Sequence, residues 1–216
     1  DALRQELERK AEALTVERKK AGESLCKALL PHIHDLAMPQ GRVEIGFTKL
    51  SHCGLKGQGE AVFLFSANAG MPVKPLARIA SGGELSRFAL ALKTVMLRNF
   101  GVPTMIFDEI DTGVGGVTAQ KMAEKMALIA GERQVLCITH LAQIACFADH
   151  HLYIHKSTAG SSTTSQVEAL DQEGRIQEIM RMTGGTNQSQ SARENARELL
   201  AMAAAVKKQN KEPKKK

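Results

Sequence analysis

The sequence predicts an α/β fold, a mostly parallel sheet with helices on it, preceded by a coiled-coil helix, and three observations predict it. From Ser81 onward, helical and apolar strand patterns alternate, which implies a βαβ unit with parallel neighbouring strands and a right-handed crossover. The strand Thr104–Phe107 (TMIF) is wholly apolar inside and ends on two adjacent carboxylates, Asp108 and Glu109, as in a sheet covered on both faces whose ligands lie beyond the carboxyl ends of its strands. Before all this, residues 1–30 carry a narrow apolar stripe at Leu3, Leu7, Ala11, Leu14, Ala21, Leu25 and Ala28.

That stripe is rich in Glu, Lys, Arg and Ala around it, Arg18 interrupts it, and Pro31 is expected to end it. Two readings fit: the end of a coiled-coil arm, or an amphipathic helix packed on the domain. The chain starts inside the pattern and without Met, so it is read as a fragment of a longer protein lacking its N-terminal part. Beyond Pro31, Val43–Phe47 and Ala61–Phe65 read as strands, possibly an antiparallel pair, around the glycine-rich stretch Gly54–Gly59. GLKGQGE has the glycines of a phosphate loop without its Gly-Lys-[Ser/Thr] ending, so it is assigned to a loop tip.

A helix follows from Ser81 to about Asn99, then the strand Thr104–Phe107, a helix over Val117–Ala130, a strand over Gln134–Ile138 and a short helix from Leu141. Further strands are expected at His151–His155 and Ser165–Leu170. Two helices, Gly174–Met182 and Ser191–Val206, close the body around the polar loop TGGTNQSQ. The last ten residues, KKQNKEPKKK, are expected to be a disordered tail from 207 to 216. Of the overall charge of +6, +5 sits there: without that tail, 23 basic residues face 22 acidic ones. The tail either adds salt-sensitive affinity for phosphates or is merely solvated.

Composition narrows the function. At 216 residues and 43% hydrophobic, the chain can bury a real core. With no Trp and one Tyr, stacking on exposed nucleic-acid bases is a poor basis for binding. No apolar run approaches the roughly 20 residues needed to cross a bilayer, and DALRQELERK is no signal peptide, so a soluble intracellular protein with no membrane partner is expected. Cys26, Cys53, Cys137 and Cys146 are far apart and read as reduced, mostly buried thiols; neither they nor His32, His34, His150, His151 and His155 form a metal-ligand pattern.

Chemistry concentrates in three places. In SGGELSR (Ser81–Arg87), Ser81 and Glu84 satisfy a helix-capping box, but Gly82 and Gly83 inside the first turn cost about 1 kcal/mol each relative to Ala. Close approach of a phosphate to a helix N-terminus explains them better. Asp108 suits Mg²⁺, bound directly or through water, and Glu109 suits orientation or deprotonation of an attacking water. Successive strand residues face opposite ways, so both serve one site only if the chain turns there, which IDTGVGG supplies. His140, after the apolar strand ending in Cys137, can bond a γ-phosphate oxygen and fix that water. Together these make one side of an ATP site. The chain holds no Gly-x-x-x-x-Gly-Lys-[Ser/Thr] loop, so it is not expected to hydrolyse ATP unaided.

In order and spacing, SGGELSR, the strand with DEID, the turn DTGVGG, and ITHLAQIA resemble the signature motif, Walker B, D-loop and H-loop of ABC-type ATPases, whose heads have a P-loop NTPase-like fold. More narrowly, RIASGGELSRFALALKTVM, PTMIFDEIDTGVGG and RQVLCITHLAQIACFADHHLYI resemble the SMC-like ATPases of bacterial DNA repair, from about Arg42 to Leu200, and the preceding helix resembles their returning coiled-coil arm. The resemblance implies a head built from both ends of a long chain, with residues 31–206 its C-terminal part and Walker A and the Q-loop on an N-terminal segment of the same protein. It further implies a homodimer that sandwiches ATP, in which Ser81, Gly82 and Gly83, with Glu84 beside them, contact nucleotide across the dimer and Asp111 belongs to the dimer-contacting turn. Asp108 would handle Mg²⁺, Glu109 would be the catalytic base and His140 the switch residue. Broken double-stranded DNA is the implied substrate and the cytoplasmic nucleoid the implied location. The alternatives are a non-catalytic DNA-binding or scaffolding module that dimerises through ATP, and a transporter-type ABC ATPase.

Overall fold

Helix α1 (Ala2–Asp35) runs through Pro31 and ends four residues beyond it, which corrects the expected stop. A proline inside a helix costs about 3 kcal/mol. Here Leu29 and Ile33, with Leu36 just past the helix end, are fully buried around it, and their burial offsets that cost. This computed structural model describes residues 1–79, 81–97, 99, 101–159, 162–184 and 189–211. The chain divides into two units, Asp1–Phe100 and Gly101–Lys216.

In the first unit, β1 (Arg42–Gly54) and β2 (Gly57–Ser66) form an antiparallel hairpin, and the short β3 (Lys74–Pro75) pairs with β2. The glycine-rich stretch lies mostly within the strands, with only Leu55 and Lys56 at the tip. Its glycines admit α1: a Cβ on Gly59 would sit 3.2 Å from Thr15 Oγ1, and one on Gly22 of the helix 3.1 Å from Ile45 Cδ1. Arg18, the break in the stripe, donates to the Lys56 carbonyl at 2.7 Å and ties the tip to the helix. Of the stripe only Ala11 is buried; Leu3, Leu7 and Leu14 are exposed, and the other residues that α1 buries before Pro31, Gly22 and Leu29, lie one position after Ala21 and Ala28. Helix α2 (Gly82–Val95) ends short of Asn99 and seats Phe88 against Phe63 and Phe65 of β2.

In the second unit, β4 (Thr104–Phe107) and β5 (Gln134–Cys137) pair in parallel from Thr104↔Gln134 to Phe107↔Cys137, joined by α3 (Gly116–Ala130). The unit buries Ala119, Met122, Ala123, Met126 and Ile129 of α3 together with Met105 and Phe107 of β4. The opposite face of the pair is open: Ile106, Leu136 and Ile138 are 67%, 46% and 55% exposed, against the expectation of cover on both sides. Beyond α4 (Ala142–Ala145), β6 (Leu152–Ala159) and β7 (Ser162–Ala169) form an antiparallel hairpin, so the parallel arrangement is confined to β4 and β5 among the described residues.

Helix α5 (Gln172–Met182) is capped by Asp171, which accepts from the Gly174 N–H at 2.7 Å. Helix α6 (Gln190–Lys211) extends past Val206 into the predicted disordered tail. There Lys207 donates to the Phe147 carbonyl at 3.2 Å and pairs with Asp149, so the start of the basic run is helical and anchored; residues 212–216 lie outside the described ones. All four cysteines are free, as expected, but only Cys146 is buried and the other three are half-buried.

Candidate active site

The strand β4 ends abruptly because Glu109 adopts a left-handed backbone, φ 53°. For a residue with a Cβ this conformation costs on the order of 1–2 kcal/mol. Its effect is geometric: Asp108 and Glu109 are both exposed, while Ile110 and Asp111 are buried, so the two carboxylates escape the alternation of a continuing strand. The Thr112 N–H reaches the Glu109 carbonyl at 3.3 Å and the Val114 N–H the Asp111 carbonyl at 3.1 Å, and Gly113 (φ 70°) lets the turn continue. Replacing Glu109 by Gly is therefore expected to raise stability slightly, by about 0.5 kcal/mol once the extra freedom of the unfolded glycine is subtracted. Urea unfolding of the chain measures this, and an unchanged or lower midpoint would show that the turn stores no strain.

At the end of β5 the Ile138 N–H still bonds the Phe107 carbonyl at 3.0 Å, and the chain then presents Thr139 and His140. Asp111, only 3% exposed, holds both. Its Oδ2 accepts from Thr139 Oγ1 at 2.6 Å and from the His140 backbone N–H at 3.1 Å, and lies 3.1 Å from His140 Nδ1. The imidazole itself is 72% exposed. Below this end, the Cys137 thiol is pushed up to about 12, first by burial and then by the negative charges of Asp111 and Asp108. The field of both carboxylates thus converges on the strand beneath His140.

The sequence places four site residues here, and the structure brings Asp108, Glu109, Asp111 and His140 to one end of the parallel pair. The Asp111 carboxylate is buried and occupied by Thr139 and His140. Thr139 went unnoticed in the sequence; the signal was its place directly before His140 at a strand end.

The remaining predicted residues lie in the first unit. Ser81 caps α2 by accepting from the Glu84 N–H at 3.3 Å. A Cβ on Gly82 would meet nothing within 4 Å, so nothing in the described structure requires a glycine there. Its presence in a helical first turn agrees with close approach of something from outside. Arg87, the last residue of the segment, is buried, and burial pulls its guanidinium below its usual range.

No protein-family model matches the chain. Curated relatives do: the DNA repair protein RecN of Halalkalibacterium halodurans is 42% identical over 96% of this chain and 37% of the relative. That of Deinococcus radiodurans is 43% identical over 93% of this chain and 35% of the relative. By sequence the chain belongs with the C-terminal part of RecN proteins. It spans little more than a third of the length of these RecN relatives. Among solved structures, an Smc head domain with a coiled coil and joint from Pyrococcus yayanosii matches with a TM-score of 0.54 at 23% identity, over 74% of this chain and 29% of that one. At that identity the likeness is one of fold, an SMC-type head.

Proposed function

We propose that the chain is the C-terminal half of an SMC-like ATPase that acts in the repair and recombination of DNA double-strand breaks. It supplies the signature motif, Walker B, D-loop and H-loop, and an N-terminal segment of the same protein supplies Walker A. The observation that carries this reading is the end of the β4–β5 pair, where a left-handed Glu109 keeps two carboxylates exposed beside a histidine held by a buried aspartate. A helix-capping turn needs none of that strain.

In this reading Glu109 orients the attacking water and takes its proton, and His140 bonds that water or a γ-phosphate oxygen. Among the described residues no group of three or more His, Cys, Asp or Glu can hold a metal, and Asp108 is exposed. That donor set fits Mg²⁺, which keeps several waters and takes the rest of its shell from phosphates. When bound, the ion neutralises phosphate charge. Ser81, Gly82, Gly83 and Glu84 contact the ATP held by a second head, making a homodimer with nucleotide between the heads.

The bare face of Ile106, Leu136 and Ile138 supports a further segment lying there, since an apolar sheet face is stable only when covered. The RecN relatives, almost three times as long as the match, have the residues to provide it. DNA ends or double-stranded DNA are the partner this reading assigns, in the cytoplasm. No helix among the described residues is long and apolar enough to cross a membrane.

The test compares ATP turnover by the chain alone and by the full-length protein. No turnover by the former and magnesium-dependent turnover by the latter are expected, whereas hydrolysis by the purified chain alone would refute the reading. If the full-length protein dimerises with ATP but does not hydrolyse it, a non-catalytic scaffolding role replaces the enzymatic one.

A further inference from the structure

We propose that Asp111 is a positioning residue which fixes the tautomer and orientation of the His140 ring and locks the turn after β4 to the end of β5. The catalytic consequence rests on the reading of His140 given above; the geometric assignment does not. One buried oxygen, Asp111 Oδ2, gathers the Thr139 hydroxyl at 2.6 Å, the His140 N–H at 3.1 Å and His140 Nδ1 at 3.1 Å. The directions of the two hydrogen bonds are determined. Thr139 Oγ1 accepts the Leu141 N–H at 3.0 Å, so its single proton goes to Asp111. The backbone N–H of His140 can only donate. An acceptor-only carboxylate oxygen 3.1 Å from Nδ1 favours the neutral tautomer with the proton on Nδ1 and the lone pair on Nε2.

Two consequences follow. The ring, 72% exposed, turns Nε2 toward solvent as an acceptor. A neutral His140 therefore takes a hydrogen bond from water and has none to give a phosphate oxygen; only the imidazolium donates to phosphate. Asp111 also lies two residues after the left-handed Glu109, in a turn whose Val114 N–H bonds its carbonyl at 3.1 Å. The same carboxylate thereby sets the spacing between the predicted base on one strand and the predicted switch residue on the other.

The tautomer can be read directly. Long-range proton–nitrogen spectra of the ¹⁵N-labelled 216-residue chain at about pH 8.5, above the ordinary imidazole range, are expected to show His140 protonated on Nδ1. Asp111→Ala, which removes the acceptor beside Nδ1, is expected to raise the Nε2-protonated form several-fold. An Nε2-protonated or freely exchanging ring in the wild-type chain would overturn the proposal without any variant, and an unchanged ring in Asp111→Ala would do the same. In the full-length protein, Asp111→Ala is expected to lower kcat about tenfold or more, by loss of a group that orients a reacting one, with KM for ATP within about twofold of wild type. A rise in KM with kcat unchanged would instead assign Asp111 to nucleotide contact. Absence of ATP turnover in the wild-type full-length protein would remove the functional reading and leave the tautomer result standing.

Discussion

Full-length protein carrying Glu109→Gln is expected to bind ATP as the wild type does and to turn it over at least about a hundredfold more slowly, the usual loss when a general base is removed. That factor corresponds to about 2.7 kcal/mol of transition-state stabilisation. The substitution isolates chemistry from structure. Glutamine has the shape of glutamate and the same tolerance of the left-handed backbone seen at φ 53°, and the side chain is exposed, so neither packing nor the turn changes. Only the capacity to accept a proton is lost. Steady-state hydrolysis measures the effect, and ATP-dependent association of heads, followed by light scattering, checks that nucleotide is still held. Association is expected to persist longer than in wild type, because the triphosphate between the heads is not consumed. Turnover at the wild-type rate would remove Glu109 from the mechanism, and with it the reason for the strained turn.

Much of the second unit was legible because its signals are local. The apolar TMIF segment lies between Pro103 and two carboxylates, and the strand occupies those four residues. In the first unit, likewise, Ser81 and Glu84 match a capping box and Ser81 caps α2. Features set by distant contacts were not legible. Pro31 looks like a terminator until the burial of Ile33 and Leu36 beyond it is known. The glycines of GLKGQGE look like a loop, yet Gly59 is small because Thr15 of α1 lies against it. An apolar strand reads the same whether or not a neighbour covers it, so the open face at Ile106 and Leu136 left no mark in the sequence. Asp111 is the sharpest case at the site. The resemblance puts Asp111 in a dimer-contacting turn, and its burial under Thr139 and His140 comes from the fold alone.

Phe88→Ala is expected to cost about 3–5 kcal/mol, the range for a large aromatic removed from a core. Phe88 is 1% exposed, with its ring 5.8 Å from that of Phe63 at 72° and 5.1 Å from that of Phe65 at 56°. Both partners belong to β2, so the cluster is the seat of α2 on the hairpin. A typical domain is stable by only about 5–15 kcal/mol, and a loss of this size lowers the urea midpoint sharply. Phe88→Leu keeps most of the buried surface and should cost less than half as much. The functional effect follows from position, since Ser81, Gly82 and Gly83 open the same helix. In the full-length protein Phe88→Ala is therefore expected to weaken ATP-dependent dimerisation even under conditions where it remains folded, while hydrogen exchange of the α2 amides accelerates. Unaltered exchange in α2 would show that the aromatic cluster does not hold the helix that presents the signature segment.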